Sequence, residues 1–380
     1  MKVPFEALPR RLRLKKVRKL NGRLVSVIIP AFNGAEHIRQ TLDSVLAQTY
    51  QALEVIVVDD GSADATGAIV EEFVKKDARV QLVRQCNAGV GAARNTAIRM
   101  ARGEYIAPLD ADDFWFPEKL EKQVARLEQY GEETGLVYCW SRQVDKDGDF
   151  VAAGSPNWLL EGRLRHALVL RNIIDNASVP LFRAAALSRV GPYLTRTEQG
   201  GAQGCEDWDL YIRIAETSII RVVPEILVAY RQTSSSMRVN AESMERSFTV
   251  VLQRARQRNR DLPSASFRWS AGYFYVYLLE ICDFWGYYSW SFRYVIKAVS
   301  ANPWYLVKTW FYKKILVVQL NAILGPTWKK FVKQFLPSSA KKEQEADLHS
   351  KKNKKRPFIS SGSFSRIEQH RWAAALHDGD

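Results

Sequence analysis

A repeating alternation of short apolar runs and amphipathic segments constrains the fold of residues 25–130 more than any other feature. Four runs are largely apolar on both faces, as buried parallel strands are: VSVII (25–29), VIVV (55–58), VQLV (80–83) and YIAPL (105–109). The segments between them repeat apolar residues every three or four positions, as a helix with one buried face does. The second such face consists of Ile69, Val70, Phe73 and Val74. This alternation predicts βαβ units in an α/β fold, a Rossmann-like nucleotide-binding sheet with helices on both faces.

Polar and glycine-rich residues follow each of these runs. In order they are PAFNGAEH, DDGSAD, RQCNAGVGAARN and DADD. Ligands of open α/β sheets bind beyond the carboxyl ends of the strands, where such loops meet. This rim of the sheet is therefore the candidate active site.

Three carboxylates after the fourth run raise the question of what offsets their repulsion. Asp110, Asp112 and Asp113 lie within four residues. A divalent cation, Mg²⁺ or Mn²⁺, is the natural partner, because these ions are held by one or two carboxylates together with substrate phosphates. The alternative is that the acids cap a helix that begins near Pro117. One acid is enough for a cap, so the surplus favours a metal or diphosphate site.

The second and third loops offer nucleotide contacts. Asp59 and Asp60 could accept hydrogen bonds from a base or ribose, although an Asx turn alone would also explain the DG pair. The NAGVGAARN segment begins a helix whose N-terminus would favour an anion, with Arg94 available to a phosphate or a carboxylate.

Taken together, five segments resemble the family 2 glycosyltransferases, inverting enzymes with a GT-A fold. The matching segments, in the family's order and approximate spacing, are PAFNGAEHI (30–38), VVDDGSAD (57–64), NAGVGAARN (87–95), LDADDFW (109–115) and EDWDL (206–210). The resemblance covers about residues 25–235. It implies a GT-A domain over 24–235, with a nucleotide-sugar half at 24–130 and an acceptor half at 131–235.

The resemblance also implies a role for individual residues. Pro30, Ala31 and Asn33 would border the nucleoside, with Glu36 nearby. Asp59 would read the edge of a uracil-type base, and Ser62 would help to seat the nucleotide. Asp110 would lie near the ribose and, with Asp112, at the metal that bridges the diphosphate. The remaining implied residues are the general base Asp207, its support Glu206, Trp208 in the acceptor pocket, and Arg231 over the diphosphate.

Basic charge is concentrated in the flanks of the chain. The net charge is +14, yet residues 1–23 hold nine Lys or Arg against one acid, and residues 290–335 hold eight against none. The middle of the chain is therefore close to neutral, which argues against nucleic acid in a central groove. In residues 236–336, a helical region, Trp and Tyr alternate with lysines, which favours contact with an anionic membrane surface over a helical hairpin packed on the core. Residues 1–23 are read as a basic extension and 337–380 as a disordered tail.

No secretory signal, membrane span or cysteine framework is evident in the sequence, so we expect a cytoplasmic protein, peripheral on the inner face of the membrane. The expected acceptor is a hydroxyl of a polysaccharide, a lipid-linked sugar or another molecule. Two other functions compete: a dinucleotide-dependent oxidoreductase, suggested by Gly89 and Gly91, and a non-catalytic basic protein that binds membranes or polyanions. The glycine loop follows the third strand instead of the first, which disfavours the oxidoreductase.

Overall fold

The computed structural model describes residues 23–151, 158–232 and 240–324. The strands are β1 (Val25–Ala31), β2 (Leu53–Asp59), β3 (Val80–Arg84), β4 (Tyr105–Pro108), β5 (Phe114–Trp115), β6 (Thr134–Val144), β7 (Leu181–Arg183) and β8 (Ile219–Arg231). The helices are α1 (Ile38–Leu46), α2 (Thr66–Lys76), α3 (Val90–Met100), α4 (Lys119–Tyr130), α5 (Arg165–Leu170), α6 (Ala184–Val190), α7 (Glu206–Thr217), α8 (Ala241–Arg258), α9 (Ser264–Trp285), α10 (Tyr288–Ala301) and α11 (Thr309–Leu324). A 3₁₀ turn at Pro303–Val307 joins α10 to α11.

One eight-stranded sheet organises the chain, in the order β3-β2-β1-β4-β7-β6-β8-β5. The first four strands of the chain pair in parallel, β3 with β2, β2 with β1 and β1 with β4. β7 then enters antiparallel between β4 and β6, and β6 and β8 run parallel to each other. The predicted α/β class is confirmed, and the carboxyl ends of β1, β2, β3 and β4 bring their loops to one edge.

The apolar pattern predicted the buried face of α2 with one exception. Val70 and Phe73 of α2 are buried, but Val74 is 38% exposed. The buried face of α2 is centred on Thr66, Val70 and Phe73, so position 74 is rotated out of contact with the sheet.

After residue 130 the chain continues the sheet and the helices that cover it. The apolar segment VYCW (137–140) lies within β6, and VPLFR (179–183) contains the shorter β7. The DKDGD segment (145–149) makes a turn, in which the N–H of Gly148 donates to the carbonyl of Asp145 at 3.1 Å. Leu210, Ile214 and Ala215 of α7 are buried.

The last four helices pack against the main core and against one another. α8 and α9 join the main core through Phe248 and Phe274, whose rings stack with centroids 3.9 Å apart. A smaller cluster, formed by Val276, Ala298, Tyr305 and Phe311, holds α10 and α11 against α9. Among the helices of the described ranges, none is both long and apolar enough to cross a membrane. The predicted extension at 1–23, apart from Arg23, and the predicted tail at 337–380 lie outside the described residues, as do positions 236–239 and 325–336 of the predicted helical region.

Candidate active site

The loops after β1 and β2 are tied to each other by reciprocal hydrogen bonds. Asn33 has a left-handed backbone (φ 49°), and its N–H donates to Ser62 Oγ at 2.9 Å. Its Oδ1 accepts the N–H of Ala63 at 2.9 Å. Asp59 ends β2 and accepts the N–H of Ser62 at 2.9 Å, so the Asx turn indicated by the DG pair is present. The structure therefore brings Asn33, Asp59 and Ser62 together.

Pro30 and Ala31 complete the first loop from the β1 side. Both are buried and lie in register with Val58 and Asp59 of β2. Glu36 lies at the outer end of the loop, with its side chain 77% exposed and its Oε2 3.8 Å from His37 Nε2. Of the first-loop residues predicted at the site, Asn33 and Glu36 are exposed, whereas Pro30 and Ala31 are buried.

Asp60 has a different task from the one considered in the sequence. Its Oδ2 accepts the N–H of Gly89 at 2.8 Å, and its Oδ1 accepts the N–H of Ala88 at 2.9 Å. These N–H groups lie at the N-terminus of α3, where an external anion was expected. The protein's own buried carboxylate supplies that anion, so the helix terminus is already satisfied.

The start of α3 is also covered by the chain that precedes α7. A methyl group added to Gly91 would lie 2.1 Å from the carbonyl oxygen of Leu194. Asn95 fixes this contact, because its side chain both donates to the carbonyl and accepts the N–H of Tyr193, each at 2.8 Å. Gly91 is therefore needed for close packing, and no dinucleotide pyrophosphate can occupy this terminus in the observed arrangement. The structure disfavours the oxidoreductase.

The acidic cluster separates into different environments. Asp113 is fully buried, where its Oδ2 accepts from Ser178 Oγ at 2.5 Å and its Oδ1 accepts the N–H of Arg231 at 2.8 Å. Burial, reinforced by the charges of Asp112 and Asp110, raises the pKa of Asp113 well above its ordinary value. Asp110 and Asp112 remain partly exposed at the sheet edge. Two of the three acids are thus accessible, and the third anchors the loop.

Ser178 and Thr41 are site residues that the sequence did not reveal. Ser178 Oγ accepts the N–H of Asp110 at 3.1 Å while its hydroxyl donates to Asp113. Thr41 Oγ1 lies 2.9 Å from the carbonyl oxygen of Ala111 and 2.8 Å from that of Asp113. Each comes from an element distant in sequence, and a lone Ser or Thr carries no local signal of such a contact.

Arg231 binds the backbone of the acidic loop after β4 and does not face the position expected for the diphosphate. It is 1% exposed. Its Nε donates to the carbonyl of Asp112 at 2.8 Å, its Nη1 to that of Asp145 at 3.0 Å, and its Nη2 to Gln40 Oε1 at 2.5 Å. The prediction that Arg231 closes over a diphosphate is therefore wrong for this arrangement, because its donors are already engaged within the protein.

Arg94 bridges the two sides of the site. Its Nη2 donates to Asp110 Oδ1 at 2.5 Å and its Nη1 to Glu206 Oε1 at 2.8 Å, while the guanidinium lies 5.3 Å from the ring centre of Tyr193. Burial disfavours its charge, but Asp110 and Glu206 outweigh this effect, so the pKa of Arg94 is raised well above its ordinary value. The sequence indicated a phosphate or a carboxylate as the partner of Arg94, and in the structure Arg94 contacts two carboxylates.

Glu206 and Asp207 open α7 beside this bridge. Glu206 is 3% exposed, and its second oxygen accepts the N–H of Gly204 at 2.9 Å. Asp207 is partly exposed, and its Oδ1 accepts the N–H of Trp208 at 2.6 Å. Desolvation and the charge of Glu206 raise the pKa of Asp207 to about 8, against the opposing effect of Arg94. A carboxyl group with a pKa near neutral is suited to general acid–base catalysis.

Trp208 is packed into the interior. It is 6% exposed, and its indole Nε1 donates to the carbonyl of Leu168 at 2.7 Å. Its ring centre lies 5.3 Å from that of Phe248 and 6.1 Å from that of Phe274. The predicted role in an acceptor pocket does not fit this position; Trp208 instead anchors α7 to α5, α8 and α9.

The acids at the sheet edge fit one mode of metal binding. Within the described part of the chain, no group of three or more His, Cys, Asp or Glu side chains could hold a metal ion by itself. Mg²⁺ and Mn²⁺ sites that borrow phosphate oxygens from a substrate need only one or two carboxylates. Asp112 and Asp110 provide that number of accessible groups at the sheet edge.

Comparisons with known proteins agree with the family resemblance of the sequence. Residues 26–187 match a family model described as glycosyl transferase family 2. Chondroitin synthase of Escherichia coli is 32% identical over 235 residues, which cover 60% of this chain and 32% of that protein. The putative glycosyltransferase EpsH of Bacillus subtilis is 44% identical over 115 residues, which cover 30% of this chain and 33% of that protein. The chain thus spans about a third of the length of these curated relatives.

A solved structure shares the fold. The mannosyltransferase PcManGT of Pyrobaculum calidifontis, in complex with GDP-Man and Mn²⁺, superposes with a TM-score of 0.51 at 19% identity, covering 79% of this chain and 86% of that one. At this identity the likeness concerns architecture alone. The family match ends before α7, so the assignment of Asp207 depends on the geometry described above.

Proposed function

We propose that this chain, whose residues 26–187 match the family 2 glycosyltransferase model, is an inverting transferase of that family. It moves a sugar from a nucleoside diphosphate sugar, expected to be UDP-linked, to an acceptor hydroxyl. Three sets of side chains support the proposal: the tied loops after β1 and β2, the accessible acids after β4, and the carboxyl group of Asp207.

The donor nucleotide is assigned to the tied loops. Pro30, Ala31 and Asn33 border the nucleoside, and Asp59 with Ser62 contacts the base. Support comes from the reciprocal hydrogen bonds between these loops, which fix their spacing before any ligand binds. A preformed pocket of this kind lowers the ordering cost of binding. Glu36 is assigned to the outer rim.

The diphosphate is assigned to the edge formed by Asp110 and Asp112. A divalent cation held by these carboxylates would neutralise charge on the departing nucleoside diphosphate. Arg231, Ser178 and Thr41 hold the backbone of this loop in position, so the two accessible acids are presented without reorganisation.

Asp207 is assigned as the general base. It takes the proton of the acceptor hydroxyl as the acceptor oxygen forms a bond to the anomeric carbon of the donor. The bond from that carbon to the phosphate oxygen breaks, and its electron pair leaves with the nucleoside diphosphate. Attack opposite the leaving group inverts the anomeric configuration, so an α-linked donor yields a β-linked product.

The observation that carries the proposal is the bridge through Arg94. One guanidinium contacts a donor-side acid, Asp110, and the neighbour of the base, Glu206. The acid-rich sheet edge and the start of α7 therefore belong to one site, although 96 residues separate Asp110 from Glu206 in the sequence. A transferase needs its leaving-group site and its base on opposite sides of a single sugar.

We further propose that the acceptor is a hydroxyl of an envelope polysaccharide or a glycolipid, and that the protein works as a peripheral protein on the inner face of the cytoplasmic membrane. The aromatic and basic helices after α8 support this localisation.

A screen of nucleotide sugars, with Mg²⁺ or Mn²⁺ present, tests the reaction. We expect one donor to be consumed in a metal-dependent way, with release of nucleoside diphosphate. Asp207→Asn should lower turnover about 10²- to 10⁴-fold. The matched control is Asp43→Asn, which makes the same change at an exposed position of α1. Equal turnover in both variants would refute the assignment of the base, and no consumption of any donor would refute the transfer.

A further inference from the structure

The end of the described chain presents large apolar side chains to solvent. Trp304 is 59% exposed and Val307 is 65% exposed, both on the 3₁₀ turn after α10. We use the name apolar edge for this turn and the adjoining face of α11, formed by Trp304, Leu306, Val307, Tyr312 and Leu316, which are all more than half exposed. The surfaces of soluble monomers seldom gather large apolar residues in this way, so the edge indicates a binding surface.

The apolar edge is continuous across two elements. The hydroxyl of Tyr312 donates to the carbonyl of Leu306 at 2.5 Å, which joins the turn to α11. Tyr312, Leu316 and Ile323 follow the helical repeat and share one face of α11. Phe311 and Val318 of the same helix are buried. α11 therefore carries apolar side chains on its exposed side as well as on its packed side.

The charge around the apolar edge limits what that partner can be. Residues 284–324 contain five Lys or Arg and no acid, and Lys308 and Lys313 flank the edge directly. In sequence, residues 325–356 add ten Lys or Arg against three acids. A second copy of the chain, or this following segment, would bring positive charge against positive charge. The partner is therefore expected to be anionic.

Aliphatic side chains distinguish a bilayer from a nucleic acid. Leu306, Val307 and Leu316 gain free energy when they leave water for an acyl boundary, but they contribute little to binding phosphates and bases. Trp304 and Tyr312 have the amphipathic rings that favour the headgroup region. Apolar residues flanked by lysines are typical of surfaces that lie on anionic bilayers.

We propose that the apolar edge docks onto an anionic phospholipid surface, with Trp304, Leu306 and Val307 entering the headgroup–acyl boundary. This inference deepens the membrane localisation proposed above, but it does not depend on the transfer reaction. Docking would hold the enzyme at the surface where a glycolipid acceptor is found.

Vesicle sedimentation with the full chain tests the proposal. We expect binding to phosphatidylcholine vesicles that contain phosphatidylglycerol, little binding to phosphatidylcholine alone, and weaker binding in high salt. A double variant, Leu306→Glu with Val307→Glu, should bind the vesicles at least about tenfold more weakly than the wild type does. Lys308→Gln and Lys313→Gln should each weaken binding about fivefold. The matched control is Val74→Glu on α2, which changes an exposed apolar residue elsewhere and should bind as the wild type does.

Several results would overturn the proposal. These are equal binding to both vesicle types, wild-type binding by the double variant, or a dimer in light scattering that the double variant dissociates. Binding to single-stranded RNA without binding to vesicles would also overturn it. Trp304→Ser tests the same surface if the double variant does not fold. Donor consumption by the double variant is measured in parallel, because loss of vesicle binding with normal turnover separates this proposal from the proposed reaction.

Discussion

Replacing Arg94 by Met tests whether the two sides of the site act as a unit. Met keeps much of the side-chain length but removes the donors to Asp110 and Glu206. Glu206 would then be a buried carboxylate without its cation, since it is 3% exposed. Breaking a buried ion pair from one side costs about 3–5 kcal/mol, and we expect the free energy of unfolding to fall by that amount.

Arg94→Met should also lower kcat/KM, in addition to lowering the stability of the protein. Arg94 lowers the pKa of Asp207, which is about 8 in the intact site, so its removal moves that pKa upward. At a fixed pH below the pKa, each unit of increase lowers the ionised fraction of the base about tenfold. Misplacement of α7 relative to the sheet edge adds a further loss, on the order of 10²-fold. Arg94→Lys keeps the charge but not the two-armed geometry, so we expect it to spare the pH profile and still lose turnover.

The assay combines urea unfolding with the pH dependence of kcat/KM. Arg94→Met should move the acid limb of the profile to higher pH. The double variant with Glu206→Gln should be more stable than Arg94→Met alone, because it no longer leaves a buried charge unpaired. Arg39→Met, at an exposed ion pair with Glu72, is the matched control and should behave as the wild type does. An unchanged pH profile in Arg94→Met, with stability near that of the wild type, would refute the bridge.

Three further expectations follow from the geometry. Since ionised Asp207 is the base and its pKa is about 8, kcat/KM should rise with pH up to about 8 and level off above it; a profile that is flat below pH 8 would contradict the role. Asp113→Ala leaves the buried hydroxyl of Ser178 and the buried N–H of Arg231 without an acceptor. In urea unfolding, the free energy of unfolding should therefore fall by about 2–5 kcal/mol. A fall of less than about 1 kcal/mol would argue that Asp113 does not anchor the loop. Gly91→Ala forces a methyl group against the carbonyl of Leu194 and should lower the free energy of unfolding by about 1–3 kcal/mol. Gly34→Ala, whose added methyl group has its nearest contact at 3.5 Å, should lower it less. Equal decreases in the two variants would contradict the packing argument.

The strands and helices of residues 25–130 were predictable because their pattern is local. Apolar residues recur at the spacing of a strand or a helix, and turn residues end each run. Val74 was misassigned because a helix face has no sharp border, and position 74 lies at its margin. The edge of the sheet was predictable for the same reason, since parallel strands deliver their loops to one side.

The roles of individual charged residues were less predictable because their partners are far away in sequence. Arg94 and Arg231 looked available for phosphate, yet each is engaged by oxygen atoms from other elements, up to 191 residues away in the case of Arg231 and Gln40. Asp60 satisfies the start of α3, a contact that no local rule predicts. Likewise, nothing in the sequence DADD tells which acid turns inward. The donors offered by the hydroxyl of Ser178 and the N–H of Arg231, at the end of β8, decide that it is Asp113.

Calorimetric titration of UDP, with and without Mn²⁺, tests most directly whether the sheet edge holds the diphosphate and α7 carries the base. We predict Mn²⁺-dependent binding to the wild type, its loss in Asp112→Asn, and its retention in Asp207→Asn together with loss of turnover. Binding that ignores Mn²⁺ and survives in Asp112→Asn, or that disappears in Asp207→Asn, would contradict the account.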